Sequence, residues 1–199
     1  LLSERSAWFS DDSVRSVASL RSTERLSHAW WGSRAAEFFG EAVASGDVNA
    51  DGLTDMLVGE PEGDVVFLFF GHRSERVVAS EAAALIIQGE EGSRFGHALE
   101  MADLDGDGLD DLIISAPSDG AGVVHIFLAE DGVDGLSDSG DASSTVRGPT
   151  ELGSAGLGTD FVVADVTGDG SLDLVMGAPN AQVDGSPVGG VMIAADRTW

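Results

Sequence analysis

The stretch Asp103 to Asp111, DLDGDGLDD, places five Asp in nine residues, with Gly at two of the remaining positions. Five carboxylates this close repel one another. Either the segment is a solvated acidic turn or a cation is meant to sit inside it. The pattern recurs as DVNADGLTD from Asp47 and as DVTGDGSLD from Asp165, and three copies in register favour the cation. Oxygen ligands at positions 1, 3 and 5 of such a loop can converge on one hard ion. A Gly at position 6 permits the tight turn, position 7 offers a backbone carbonyl, and position 9 closes the shell. The ligands expected in loop one are Asp47, Asn49, Asp51, the carbonyl of Leu53, and Asp55. In loop two they are Asp103, Asp105, Asp107, the carbonyl of Leu109, and Asp111. In loop three they are Asp165, Thr167, Asp169, the carbonyl of Ser171, and Asp173. All-oxygen donors favour calcium over zinc or copper. Mg²⁺ wants near-ideal octahedral geometry and retains waters, so a crowded carboxylate loop suits calcium better. Up to three Ca²⁺ are expected, one per loop.

The elements that position these loops are strands. An EF-hand needs Glu at loop position 12, and here that position holds Val58, Ile114 and Met176. The segments that follow, MLVGEP, LIISAP and LVMGAP, read as short buried strands ended by a turn. The flanks repeat with the loops: FGEAVASGDVN, FGHALEMADLD and LGTDFVVADVT precede them, and DVVFLFFG, GVVHIFLA and GGVMIAAD come later. Self-similarity of this kind marks a repeat architecture. Each copy reads as four strands, in the middle copy near 96–102, 111–116, 122–129 and 143–147, with the loop between the first two. The segment EDGVDGLSDSGDASS before the last strand reads as an acidic tip without ion-binding spacing. Four antiparallel strands repeated every about 40–60 residues are what a β-propeller blade supplies.

Composition narrows the function. A chain of 199 residues can bury a sizeable core. It has no Cys, hence no disulfide framework or thiolate metal site. Its net charge of −25, with every basic residue an Arg, argues against nucleic acid and anionic membrane surfaces; a Lys-free acidic surface also fits a salty medium. The longest apolar run, Val65 to Phe70, is too short for a membrane span. The first residues, LLSERSAWF, lack Met and the layout of a secretory signal, so the chain reads as processed or as a piece of a longer one. His28, His72, His97 and His125 are not paired for zinc, and no G-x-S-x-G element is present. His125 alternates with apolar neighbours in VVHIFL, as on a strand face. No catalytic residues are expected, and the chain reads as a non-enzyme.

The order Phe-Gly, acidic loop, Gly-Ala-Pro resembles the FG-GAP repeat of integrin α-chain propellers and their bacterial relatives. The residues are Phe39-Gly40 with Gly59-Glu60-Pro61, Phe95-Gly96 with Ser115-Ala116-Pro117, and Leu157-Gly158 with Gly177-Ala178-Pro179. The lead-in LIIQGEEGSRFG of the middle copy also matches. The resemblance covers about residues 29 to 195. It implies an all-β fold of β-propeller blades, calcium in the acidic loops, and a role in adhesion or other protein–protein interaction outside the cell or at its surface. Departures are Leu157 for Phe, Glu60 for Ala, and Thr167 at position 3, which removes a carboxylate and should weaken that site.

The division expected is an N-terminal extension or remnant of a preceding blade at 1–27 and a propeller segment at 28–199, with repeats at about 39–88, 95–148 and 157–195. Ser10-Asp11-Asp12 could cap a short helix in the extension. Three repeats cannot close a ring, since propellers need at least about four blades and those of this family usually have seven. HAWWG, residues 28–32, reads as a fourth strand with no blade ahead of it, while the third copy ends with three strands. Strand sharing between chains would join copies head to tail, in a closed dimer or a filament. The alternative is a piece of a longer propeller, and an accessory domain of an extracellular enzyme is a more distant one. Trp8, Trp30, Trp31 and Trp199 suit either an interface or ordinary packing.

Overall fold

The computed structural model describes residues 37–71, 83–129 and 133–195. The expected extension at 1–27, the strand at 28–32 and all four Trp lie outside them. Among the described residues the fold is all-β but for two short 3₁₀ turns, and no helix is long and apolar enough to cross a membrane. The described residues form three successive antiparallel blade sheets and one small hairpin, an open segment of propeller.

The first blade has strands β1 (Val43–Gly46), β2 (Asp55–Glu60), β3 (Val65–Phe69) and β4 (Leu85–Gln88), in that spatial order. The second repeats it with β5 (Leu99–Ala102), β6 (Asp111–Ala116), β7 (Val123–Phe127) and β8 (Ser144–Arg147). The third pairs β9 (Phe161–Ala164) with β10 (Asp173–Ala178), and β10 with β13 (Gly190–Ala194). Its extra hairpin, β11 (Gln182–Val183) and β12 (Ser186–Pro187), was not expected. The hairpin turns on Asp184-Gly185, both at positive φ, the pairing that a tight two-residue hairpin demands.

Strand alternation gives each blade two apolar faces, so blades stack through cores. Leu57, Val66, Leu68 and Ile87 of blade one meet Met101, Leu112, Ile114 and Phe127 of blade two. On the opposite face of blade two, Ile113, Val124, Ile126 and Val146 meet Phe161, Leu174, Met176 and Ala194 of blade three. His125 lies on the face turned to blade one, 4% exposed, with its ring edge-on to Phe95 at 5.4 Å and stacked on Phe127 at 6.5 Å. Burial lowers its pKa, so it is a neutral core residue.

The two halves of the repeat signature are hydrogen-bond partners. The Gly40, Gly96 and Gly158 N–H groups donate to the carbonyls of Gly59, Ser115 and Gly177 at 2.8, 2.9 and 2.9 Å. This lengthens the pairing of the first two strands of each blade, and it brings Phe95 and Leu157 into the cores, both fully buried. Gly96 and Gly158 hold φ of +90° and +82°, and a β-carbon there would press on Val66 at 2.7 Å or Val124 at 2.9 Å of the preceding blade.

A second device binds blade one to the lead-in of repeat two. The Asp64 carboxylate, in the turn before β3, accepts the N–H groups of Gly92 (2.6 Å), Arg94 (2.6 Å) and Phe95 (3.3 Å) and the Ser93 hydroxyl (3.2 Å). The partly exposed pairs of Glu41 with Arg94 and His97, each at 2.9 Å, add little beside it. Asp64→Ala should cost about 2–4 kcal/mol in denaturant unfolding, because it strands buried N–H groups. Asp64→Asn, which keeps an acceptor and tolerates the positive φ of 53°, should cost less.

Candidate metal centre

Each acidic loop joins the first strand of its blade to the second, and position 9 is the first residue of that second strand. Asp55, Asp111 and Asp173 are all 0% exposed. Their Oδ2 atoms accept the N–H of position 2, from Val48 (3.0 Å), Leu104 (2.8 Å) and Val166 (2.9 Å), which closes the neck of each loop. The other oxygen of Asp55 accepts the Gly71 N–H at 2.8 Å, and that of Asp111 accepts the Ala129 N–H at 3.0 Å, tying the loop to the end of the third strand. Oδ1 of Asp173 is buried with no hydrogen-bond partner.

Position 1 organises the turn. The two carboxylate oxygens of Asp103 accept the Gly106 and Gly108 N–H groups at 2.7 and 3.0 Å, and those of Asp165 accept Gly168 and Gly170 at 2.6 and 3.0 Å. Asp47 accepts Asp51 at 3.2 Å and Gly52 at 2.9 Å. Position 3 accepts the position-5 N–H through Asn49 (3.0 Å) and Asp105 (3.1 Å). Thr167 makes no such bond; its own N–H donates to Asp173 at 3.0 Å. Position 5 accepts the N–H of position 7, at 2.8 Å for Asp51 and Leu53, 2.7 Å for Asp107 and Leu109, and 2.8 Å for Asp169 and Ser171. Gly52, Gly108 and Gly170 at position 6 all have φ between +76° and +95°, the freedom that the spacing called for.

In loop two the chain gathers Asp103, Asp105 and Asp111 with one oxygen from each within 4.8 Å of the others. Ligands 2.3–2.6 Å from a calcium ion lie within about 5 Å of one another across its shell, so this trio fits such an ion. Asp107 lies outside the trio. Among the described residues loops one and three gather no third acidic group, because Asn49 and Thr167 stand at position 3.

The donor set fits a hard cation on a further ground. Burial raises the pKa of Asp111 to about 6 and that of Asp55 in the same direction, against the pull of their backbone hydrogen bonds and with help from neighbouring Asp charges. Among the described residues no arginine ion-pairs with Asp55, Asp111 or Asp173. A divalent ion would supply the missing positive charge.

Two acidic residues outside the expected ligand set matter to this architecture. Asp64 holds the next lead-in. Asp110, at position 8, turns its carboxylate to the main chain of loop one, where it accepts the Asp47 N–H at 2.7 Å. The only sequence trace of the latter is the doubled Asp110-Asp111.

Comparison with known families matches the FG-GAP repeat at residues 39–77, 95–127 and 157–190. Among individual proteins, integrin alpha-PS5 of Drosophila melanogaster is 34% identical over 169 residues, 79% of this chain and 16% of the integrin. Human integrin alpha-IIb is 33% identical over 171 residues, 77% of this chain and 16% of the integrin. Phosphatidylinositol-glycan-specific phospholipase D of Bos taurus is 31% identical over 171 residues, 75% of this chain and 20% of that protein. The chain thus spans a fifth or less of each of these relatives. With more than half of its residues inside the three matches, the chain belongs to the FG-GAP repeat family, as an integrin α-like module.

Proposed function

We propose that the protein is a calcium-binding module for adhesion or protein–protein interaction outside the cell or at its surface, in which calcium stiffens each blade and no chemistry is catalysed. The observation that supports this reading best is the convergence of Asp103, Asp105 and Asp111 in a loop whose backbone already holds the carboxylates in place. The proposed ligands are those named from the spacing in all three loops. An environment rich in calcium suits loops of this kind, which favours the outside of the cell. The phospholipase relatives carry the family's repeats within an enzyme, and this chain spans only part of them. Calorimetric titration of calcium into the chain should therefore show binding, tightest at loop two. Loop three, with Thr167 at position 3, should be the weakest, and Asp105→Asn should remove the tightest phase. Absence of any binding at millimolar calcium would sink the reading.

A second reading is self-assembly head to tail. The outward face of blade three favours it: Val162, Val191 and Ile193 are 54%, 70% and 56% exposed. The matching positions of blade two, in the same strand register, include Val124 and Ile126, which are fully buried. Light scattering decides between the two. A mass of two chains or more that falls in chelator supports calcium-dependent assembly, and a monomer in both conditions overturns it.

A further inference from the structure

The acidic loops of blades one and two are joined by a reciprocal pair of hydrogen bonds. Asp110 Oδ2 accepts the N–H of Asp47 at 2.7 Å, and the Asp110 N–H donates to the carbonyl of Asp47 at 3.1 Å. The contact is close: a β-carbon on Gly46 would come within 2.9 Å of the β-carbons of both Asp110 and Met101. Asp47 is the first residue of loop one, and both of its carboxylate oxygens accept N–H groups of that loop. Asp110 is the neighbour of Asp111, the buried end of loop two. The backbone leading to the first acid of one loop and the backbone leading to the last acid of the next are thus the same rigid joint. Position 8 of loop three is Leu172, whose side chain has no oxygen to make such a bond.

We propose that Asp110 is a positioning residue that couples the cation occupancy of loop one to that of loop two, with loop three outside the coupling. The inference rests on the calcium reading above. A cation that draws Asp103, Asp105 and Asp111 together fixes the end of loop two, and through Asp110 it fixes the main chain of Asp47. Loop one then has less ordering left to do when its own ion arrives, which is positive cooperativity carried by conformational entropy. Linkage makes the effect reciprocal. Direct repulsion between two bound ions would act with the opposite sign, so the sign of the coupling separates the two causes.

The test is a calcium titration of the full chain followed by nitrogen–proton NMR. The N–H groups of Gly52, Gly108 and Gly170 each donate to the first Asp of their own loop, so each reports one site. Asp107→Asn, at an exposed position, weakens loop two. It should raise the calcium midpoint at Gly52 by about fivefold, the lower end of ordinary coupling, and leave that at Gly170 in place. Asp110→Ala should make the Gly52 midpoint indifferent to Asp107→Asn, while Asp110→Asn, which keeps an acceptor oxygen, should preserve the dependence. Should Asp110→Ala fail to fold, Asp107→Asn alone and in combination with Asp110→Asn still decides. A Gly52 midpoint that is unchanged or lowered by Asp107→Asn overturns the coupling and leaves the calcium reading standing. No shift at any of the three glycines in the native chain overturns both.

Discussion

Millimolar calcium should raise the melting temperature of this chain more at pH 7 than at pH 5. The difference comes from Asp111, whose carboxyl is fully buried and titrates at about 6 rather than 3.8. Burial is the main cause, opposed by the N–H groups of Ala129 and Leu104 and reinforced by the charges of Asp105 and Asp107. In the ion-free chain the unfolded state releases this proton near 3.8, and the folded state keeps it until about 6. The folded state therefore binds more protons in that window, and its stability falls as pH rises through it. Between pH 5 and 7 this group accounts for about 1 kcal/mol, and Asp55 shifts in the same direction for the same reason. A calcium ion needs the carboxylate deprotonated. With Asp111 mostly protonated at pH 5, the apparent affinity of loop two should be about tenfold weaker there than at pH 7. His125 has the opposite sign, its pKa being lowered by burial, but it is common to both arms and cancels in the difference between calcium and chelator. Differential scanning calorimetry at the two pH values checks this. Equal stabilisation at both would remove Asp111 from the site, and none at either would remove calcium.

The parts of the fold that spacing could reveal are those in which one repeat bonds to itself. The four strands of the middle repeat fall at 99–102, 111–116, 123–127 and 144–147, close to where alternation and the acidic loop place them. The three residues before β5, Gly96 to Ala98, continue its pairing with β6 irregularly through Gly96 and Ala98. The Phe-Gly and Gly-Ala-Pro segments are legible for the same reason: they pair with each other, so both must be present in every copy. The acidic tip before β8 carries local order that its composition does not announce. Asp138 and Asp141 form a capping box around a 3₁₀ turn at Ser139–Asp141, and Ser137 accepts the N–H of Gln88 at 2.9 Å, docking the segment on blade one. Its acidic residues satisfy local N–H groups, which charge counting reads only as solvation. Asp64 and Asp110 escaped for a different reason. Their partners, Arg94 and Asp47, belong to neighbouring repeats, and a contact between repeats leaves no spacing within one. The loops show the same division: the turns inside each loop follow from its period and residue types, while the bond that connects one loop to the next does not.

Gly122→Ala should be among the most damaging single-methyl changes in the chain, at about 3–4 kcal/mol, or roughly 10 °C in melting temperature. Gly122 precedes β7 with φ of +99°, a region that costs an L-residue about 1–2 kcal/mol. The added β-carbon would also collide with the main-chain N and O of Leu157 and come within 2.7 Å of its α-carbon. A backbone cannot rotate out of the way as a side chain can. Relief requires lifting the lead-in of repeat three, which gives up the Leu157 N–H bond to Ala121 at 3.0 Å and withdraws the fully buried Leu157 from the core between blades two and three. The matching position in blade one is Asp64, which holds a side chain at φ of +53° because its carboxylate meets a loop of N–H donors instead of a main chain in contact. In blade three it is Gly189, where a β-carbon would meet nothing nearer than the Pro179 carbonyl at 3.4 Å. The penalty at Gly122 therefore measures the seating of one repeat on another and not glycine's backbone freedom alone. Gly120→Ala supplies the control: its φ is +59° with nothing within 4 Å of the new carbon, so it should cost about 1 kcal/mol. Denaturant unfolding of the two variants side by side decides. Equal losses would mean that positive φ, and not contact between the blades, sets the requirement for glycine at Gly122.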